Sequence, residues 1–355
     1  MTTTGWAYAS NKFEPIFMKL LPTYLTRGTN YFHYTNLIAC QRILSSKDCI
    51  SLYASHFLFL NDSAELFDGL KFALNGLKRK IDSISSGGDL FEKLKQYHEN
   101  MSSLIESTKD DKNLAPLAHA PNHFITCFCS KGNLLNQWAR YGGECGVSIE
   151  FDLNQCRYEG FMIARENLYG GDKTIVPVHD LPINAYDIIY KNVDKEGIVE
   201  KIMNHEFSGI SDAGLQAESL AMGALATASF MKHNSFIDEH ECRLLFPLVY
   251  MASELEAENA IEKLMKYRVV DGVLKPFIKI LIKHKDPNEL PIKSVTVGPG
   301  RNQYLVFNAM IKLIHSTYAP DIGSISDTST IDSEDYKYVK VGNIEVRRST
   351  IPFRP

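Results

Sequence analysis

Hydrophobic positions recur along the chain with two periods, and each change of period indicates a new element. Alternation with period two, typical of a half-buried strand, occurs where Val147, Ile149 and Phe151 are separated by polar residues. On this basis strands are predicted at 31–34, 49–60, 124–129, 146–151, 242–249, 277–283, 293–297 and 339–348, with two more within 173–190. The helical period predicts helices at 37–44, 61–84, 89–107, 134–141, 194–207, 212–232, 254–266 and 302–316.

These strands and helices interleave irregularly, which favours an α+β fold over a doubly wound sheet. We expect a single compact domain over residues 31–355, preceded by an N-terminal extension at 1–30. Helical insertions are expected near 64–120 and 194–232. The central mixed or antiparallel sheet is expected to contain the strands near His33, Cys127, Ile149 and Leu244.

Composition narrows the classes of protein without selecting one. The net charge of −4 gives no overall basic excess of the kind nucleic-acid binders carry, although a local basic patch is still allowed. The seven cysteines are unevenly spaced, and we interpret Cys127 and Cys129 as core packing rather than a metal site. Such cysteine usage predicts a reducing, cytoplasmic location. No signal peptide and no membrane span are predicted.

The segment from Lys232 to Arg243 is the most polar approach to any apolar strand of the chain. On a strand, Glu239 and Glu241 would share a face with Arg243. Such a group is costly to bury unless it is paired, so an ion-paired sheet rim is one interpretation. A catalytic carboxylate with an assisting partner is a second interpretation. Metal binding by Glu239 and Glu241 is a third, although the segment offers no obvious Asp or His complement. Glu241 lies nearer the following apolar run and is expected to be the more desolvated carboxylate.

Two further segments carry candidate residues. His33 and Tyr34 stand at the end of a strand before a helix start, where anions bind, although His33 could be a hydrogen-bonded core residue. Asp62 and Glu65 have the spacing of a capping box, which explains that segment without any functional role. Trp138, one turn from Tyr141, is predicted to be structural rather than a base-stacking platform.

Several of these segments together resemble the bacterial domain-of-unknown-function family 2971. They are HYTN, LYAS with FLNDSAE, CFCSKGNLLNQWARYGGECGVSIEFD, FMKHNSFIDEHECRLLF, SVTVGPG and RRSTIPFRP, in that order from about residue 31 to the end. The family name implies no activity.

A more distant resemblance, to ADP-ribosyltransferases, comes from the order of a His-Tyr-Thr strand, a polar strand and a Glu-x-Glu strand. It implies an ADP-ribosyltransferase-like fold that uses NAD as substrate and needs no metal. His33 and Tyr34 would then lie at the NAD site, and Tyr53 and Ser55 would line the nicotinamide pocket. Glu241 would be the catalytic carboxylate. Glu239 would help to activate an acceptor. Arg243 would position Glu241 or bind the pyrophosphate of NAD.

The resulting expectation is NAD-dependent ADP-ribosyl transfer or NAD glycohydrolysis, in a toxin or an anti-phage defence effector. The acceptor would be an unidentified protein or nucleic acid. One alternative is a non-catalytic module that binds a nucleotide in the same pocket. A second alternative is a nucleic-acid-acting enzyme, for which the sequence shows neither an acidic metal triad nor a basic stripe.

Overall fold

The fold is known from a computed structural model of the 355-residue chain. It describes residues 31–45, 49–60, 63–109, 123–153, 156–166, 173–177, 185–207, 210–247, 265–270, 272–284, 286, 289–318, 331–332 and 336–352. The predicted N-terminal extension and the proposed cap Asp62 lie outside these residues, as does most of the helix predicted at 254–266.

The described residues form six longer helices and fourteen strands. The helices are α1 (Leu37–Ile43), α2 (Ser63–Ser83), α3 (Asp89–Lys109), α4 (Asn192–Met203), α5 (Ala213–Ala228) and α6 (Gln303–Tyr318). The first eight strands are β1 (Tyr31–Thr35), β2 (Ile50–His56), β3 (His123–Cys129), β4 (Val147–Phe151), β5 (Cys156–Glu166), β6 (Lys173–Pro177), β7 (Ala185–Asp187) and β8 (Glu241–Pro247). The others are β9 (Lys266–Val270), β10 (Val273–His284), β11 (Ile292–Val297), β12 (Ile331–Asp332), β13 (Tyr336–Val341) and β14 (Ile344–Ser349).

All fourteen strands belong to one mixed sheet, which confirms the expected central sheet. Its main path runs β12-β13-β14-β11-β4-β1-β3-β2-β10-β5-β6, with β7, β8 and β9 attached to this path as side branches. The β11–β14 pair is parallel and the other strand pairs are antiparallel. The four strands expected at the centre, β1, β3, β4 and β8, are neighbours in it.

The sheet forks along one edge of β3. Strand β8 pairs with the whole length of β3 on the other edge. On the forked edge, β2 pairs with Phe124 and Ile125, whereas β1 pairs with Cys129. The stretch Thr126–Phe128 therefore borders a gap between β1 and β2, called the fork below. Two side-chain hydrogen bonds cross the fork. His33 Nδ1 lies 3.1 Å from the Cys127 carbonyl oxygen, and Thr126 Oγ1 donates to the Tyr53 carbonyl at 3.4 Å.

The two faces of the sheet carry separate apolar cores. The Glu241 face, defined by Ile125, Cys127, Cys129, Glu241 and Arg243 through the β3–β8 register, packs under α2, α3, α4 and α5. The His33 face is the opposite one, and its apolar residues pack against α6. Because each side of a strand points to one face, the alternating pattern seen in the sequence fills both cores. The helical insertions thus cover one face only.

Several predicted elements differ from the observed ones. The predicted C-terminal strand is a hairpin, β13 and β14, turned at Gly342 with φ of 59°. The predicted helix at 134–141 is one turn, Leu135–Gln137, that continues as a π-helix at Trp138–Gly142. Residue 266, the predicted end of a helix, begins β9 instead, and β5 was missed because its apolar residues do not alternate cleanly. No helix within the described part of the chain is long and apolar enough to cross a membrane.

Two buried histidines make stability depend on pH. His123 is fully buried, and neither of its ring nitrogens has a hydrogen-bond partner. Burial lowers the pKa of His123 to about 3 and that of His56 to about 4, from an unfolded value of 6.5. Below pH 6.5 the unfolded chain binds protons that the folded chain does not. Stability should therefore fall as the pH drops from about 6.5 towards 4, by up to about 1.4 kcal/mol per pH unit for each histidine.

Urea denaturation between pH 8 and 4.5 measures this dependence. His123→Leu should flatten the curve because it removes a buried histidine whose pKa is lowered, and it should be the more stable protein at the acid end. His98→Gln, on the partly exposed side of α3, is the matched control for removal of one imidazole. Equal slopes for wild type and His123→Leu would contradict the assignment.

Candidate functional site

Five charged side chains form a cluster where β8 begins. Lys232 Nζ lies 2.5 Å from Glu239 Oε2 and 3.0 Å from Glu241 Oε2. Arg243 Nε donates to Glu241 Oε1 at 2.6 Å, and Arg140 pairs with the other oxygen of Glu239. Each carboxylate is therefore held by two cations. The arrangement matches the ion-paired sheet rim that the sequence suggested. It is also compatible with a catalytic carboxylate, because the cations keep both glutamates charged and in place.

The backbone that brings the two glutamates together differs from the strand expected from the sequence. Glu239 ends a 3-10 turn at Asn234–Glu239, and His240, with φ of 49°, reverses the chain before β8 begins at Glu241. Both carboxylates nevertheless converge on Lys232. Their side chains are almost equally exposed, 11% for Glu239 and 10% for Glu241, so exposure does not distinguish the two carboxylates.

The cations keep Glu241 ionised despite its burial. Burial alone would raise the pKa of Glu241, but Arg243 and Lys232, with hydrogen bonds from Arg243 and Cys127, lower it to about 2. The same burial raises the pKa of the Cys127 thiol, which stays protonated and donates to Glu241. Burial also raises the pKa of the neighbouring Tyr141 to about 12. Glu241 is therefore a fixed negative charge across the physiological pH range.

A groove of about 410 Å³ reaches the edge of this cluster. Tyr190 lines the groove, and its hydroxyl accepts a hydrogen bond from the Glu241 backbone N–H at 3.1 Å. Ile237, from the 3-10 turn that positions Glu239, also lines the groove. A ligand in the groove would thus lie next to the backbone that carries both carboxylates.

A second polar group lies at the fork, on the Glu241 face. Tyr53 and Ser55 of β2 point to this face because Ser55 is paired with Ile125. The Arg268 guanidinium carbon, from β9, lies 5.3 Å from the Tyr53 ring centre and 5.6 Å from that of Phe277, and Nη2 donates to Ser55 Oγ at 3.0 Å. Tyr53 is 37% exposed, so one side of this aromatic pair is open to solvent.

Arg268 is the unusual member of this group. Its Nε is buried without a hydrogen-bond partner, and no carboxylate in the described part of the chain pairs with it. Desolvation lowers the pKa of the guanidinium, which nonetheless remains a cation because arginine titrates far above neutral pH. A partly buried cation that stacks on two aromatic rings is a typical site for an anion attached to a flat ring.

The two other candidates near β1 are placed differently. The ring of His33 belongs to the opposite face, because its neighbour Phe32 shares the Glu241 face through Cys129. Burial lowers the pKa of His33, and the nearby Arg268 lowers it further, so the imidazole is neutral. Tyr34 is buried, and its hydroxyl already donates to the Lys131 carbonyl and accepts from the Leu134 N–H.

The structure thus brings together Glu239, Glu241 and Arg243 at one place and Tyr53 and Ser55 at another, on the same face of the sheet. Ideal strand spacing puts the Cα atoms of Ser55 and Glu241 roughly 16 Å apart. His33 approaches the fork from the other face. Three site residues were missed in the sequence, Arg268, Lys232 and Arg140. For Arg268 the sequence signal was a basic residue next to apolar ones, and two of its partners, Tyr53 and Ser55, lie more than two hundred positions away.

Within the described residues, no three His, Cys, Asp or Glu side chains are grouped as a metal would require. The groups suited to a ligand are therefore the cationic and aromatic side chains at the fork and the charged cluster beside the groove.

Comparison with known proteins gives a similarity to one family over part of the chain. Residues 137–244 match the model of a family described as proteins of unknown function, DUF2971. The matched segment contains the π-helix of Trp138, the 3-10 turn and the start of β8, and so it includes all five charged residues of the cluster. Searches of the curated proteins and of the solved structures found no match. Over residues 137–244 the chain is therefore similar to the DUF2971 family.

Proposed function

We propose that this protein binds a nucleotide at the fork, and that NAD is the first ligand to be tested. The observation that carries the proposal is Arg268, a cation without a carboxylate partner among the described residues that is stacked on Tyr53 and Phe277. A nucleotide offers both complements, since its base can lie on an exposed ring and its phosphate can bond a guanidinium. Ser55 supplies a hydroxyl at the same place.

Calorimetric titration with NAD and with AMP tests the proposal. Arg268→Met and Tyr53→Ala should each weaken binding at least about fivefold, since a charge-assisted hydrogen bond or a stacked ring contributes about 1–3 kcal/mol. The chain offers a matched control in a similar cation–π contact elsewhere. The guanidinium carbon of Arg348, on β14, lies 6.0 Å from the ring centre of Tyr304, on α6. Arg348→Met and Tyr304→Ala should bind as wild type does. If wild-type protein bound neither NAD nor AMP, the proposal would be refuted.

A second candidate function is cleavage of NAD, by ADP-ribosyl transfer or hydrolysis. It is favoured by the position of Glu241 on the same face as Tyr53 and Ser55, next to a groove and held ionised. Breaking the bond to nicotinamide passes through a cationic, oxocarbenium-like ribose, which a fixed carboxylate stabilises. His33 lies on the face of the sheet opposite to Glu241. An ADP-ribosyltransferase-like site would need both residues in one cleft, so this placement favours binding without cleavage.

Nicotinamide release from NAD separates the two candidates. If the protein cleaves NAD, Glu241→Gln should abolish nicotinamide release while leaving NAD binding at the fork intact. Glu239→Gln should reduce the transfer of ADP-ribose to an acceptor more than it reduces NAD hydrolysis. Binding without release by wild-type protein would leave nucleotide binding as the function and exclude cleavage under the conditions tested.

A further inference from the structure

We propose that the groove beside the charged cluster binds a small, neutral, largely apolar molecule that carries one hydrogen-bond acceptor. The described residues that line the groove are different from those of the fork site, so the inference goes beyond nucleotide binding and does not depend on it. It rests on a glycine that the packing of the described chain does not require, on a tyrosine hydroxyl with a hydrogen left to donate, and on a lining that is already fixed in place.

The glycine is Gly197, which lies in the middle of α4 and lines the groove. Glycine inside a helix is less favourable than alanine, so its presence there needs a reason. Close packing supplies the reason for Gly76 of α2, where an added Cβ would lie 2.1 Å from Val199 Cγ1. An added Cβ at Gly197 would meet no atom of the described chain within 4 Å. The missing side chain therefore keeps space open in the groove and does not make room for another part of the fold.

Two buried residues of the lining, Ile188 and Ile189, are held by the backbone around the charged cluster. The Ile188 N–H donates to the Glu241 carbonyl at 3.1 Å, and the Ile189 N–H donates to the Phe230 carbonyl at 2.7 Å. The Lys232 N–H donates in turn to the Ile189 carbonyl at 3.1 Å. This side of the groove is therefore apolar and preformed, as in most sites for small molecules.

The remaining lining indicates the chemistry of the ligand. Val193 and Ile237 are exposed in the groove, and an apolar ligand would remove them from water. The Tyr190 hydroxyl accepts from the Glu241 N–H, while its own hydrogen has no acceptor among the described residues. Burial raises the pKa of Tyr190, so the hydroxyl stays protonated and can donate to an oxygen of the ligand.

Charge and size narrow the class of ligand further. Four charged residues line the groove, two of each sign: Asp187, Asp194, Lys191 and Lys201. Because these charges balance, the groove favours a neutral ligand over an ion. Its volume of about 410 Å³ is within the range of small-molecule sites. A helical peptide would need a longer row of apolar contacts, spaced at i, i+3, i+4 and i+7.

Isoleucine methyl groups make this site visible by NMR, since four isoleucines line the groove: Ile188, Ile189, Ile198 and Ile237. The probe is 2-acetylnaphthalene, which is neutral and aromatic and carries a single ketone oxygen. In protein labelled at the isoleucine δ1 methyls, its rings should shift these four signals. Ile149, which is buried on the His33 face, should not shift. We expect a Kd of about 1 mM or tighter, as is usual for a ligand of this size.

Filling the space beside Gly197 should block the site without harming the fold. Gly197→Leu should weaken the binding of 2-acetylnaphthalene at least about tenfold, because the leucine would occupy the groove. It should not lower the melting temperature, since leucine is the better helix former. Glu196→Leu is the matched control, because it adds the same side chain to an exposed position of α4 outside the lining, and it should bind as wild type does. Both variants should bind AMP at the fork as wild type does.

Removing the tyrosine hydroxyl tests the acceptor. Tyr190→Phe should weaken the binding of 2-acetylnaphthalene about fivefold, which corresponds to the loss of one hydrogen bond. Naphthalene has no acceptor, so its affinity should be the same for Tyr190→Phe and for wild type.

Four results would overturn the inference. They are unchanged signals of the groove isoleucines up to the solubility limit of 2-acetylnaphthalene, equal affinities of wild type and Gly197→Leu, equal losses in Gly197→Leu and Glu196→Leu, and tighter binding of an amphipathic helical peptide than of the ketone at the same isoleucines. The last result would make the groove a site for a protein partner. If wild-type protein bound 2-acetylnaphthalene as expected but did not bind AMP or NAD, the nucleotide proposal would fall and the groove site would stand.

Discussion

Replacing Lys232 with methionine should destabilise the protein by about 3–5 kcal/mol, because it leaves two buried carboxylates short of a cation. Lys232 is 2% exposed and bonds both Glu239 and Glu241, and its ammonium lies 4.7 Å from the Phe236 ring centre. Methionine fills the space of the lysine stem, so the loss measures charge rather than volume. The measurement is the free energy of unfolding in urea at pH 7.

A second substitution shows whether unpaired charge is the cause. Adding Glu239→Gln to Lys232→Met should recover part of the lost stability, because Glu241 keeps Arg243. Lys195→Met is the matched control. Lys195 is also fully buried, but its one acidic partner, Asp68, is 26% exposed and can be hydrated, so a smaller loss is expected. Equal losses for the two lysines, with no recovery in the double variant, would contradict the explanation.

Trp138→Ala should also cost about 3–5 kcal/mol, as truncation of a buried tryptophan usually does. Trp138 is 4% exposed, and its ring centre lies 4.7 Å from that of Tyr34. The indole N–H donates at 3.0 Å to Asn133 Oδ1, which also accepts from Ser349 Oγ at 2.6 Å. The ring therefore joins β1, the loop after β3 and the C-terminal strand, and its loss should loosen all three.

Two companion variants test the packing explanation for Trp138. Trp138→Phe should lose less stability, since it retains a ring against Tyr34 and gives up mainly the hydrogen bond to Asn133. Gly298→Ala should destabilise without changing Trp138 itself, because the added methyl would lie 2.6 Å from the indole Cε3. If Trp138→Ala kept the wild-type melting temperature but abolished nucleotide binding, a functional role for Trp138 would replace the structural one.

Substitutions in the charged cluster and at the fork site should have different effects on stability and on ligand binding. At the cluster, every carboxylate is paired with two cations, so a substitution there changes stability first and any activity second. At the fork, Arg268 has a hydroxyl and two rings as neighbours but no carboxylate among the described residues, so its removal should cost binding more than folding. This difference is why the fork, rather than Glu241, carries the proposed function.

Local patterns in the sequence determined most of the elements. The spacing of Leu70, Leu77 and Ile81 is sufficient to predict α2, and the alternation around Ile149 is sufficient to predict β4. Asn36 precedes α1 and caps it, since its side chain accepts from the Ala39 N–H. These features depend on neighbours within about one helical turn or one strand, so no knowledge of the rest of the chain is required. The same holds for the pairing of Arg243 with Glu241, two positions apart on one strand.

The tertiary structure decided which elements meet and therefore where ligands can bind. Sequence order suggested that His33 and Glu241 share a site, but the β1–β3–β8 register puts them on opposite faces, since a shift of one residue reverses a side chain. Arg268 meets Ser55 across 213 positions only because β10 pairs with both β2 and β9. Side-chain periodicity is a local property that the sequence displays, whereas strand pairing depends on contacts between distant segments and is settled only when the whole core packs.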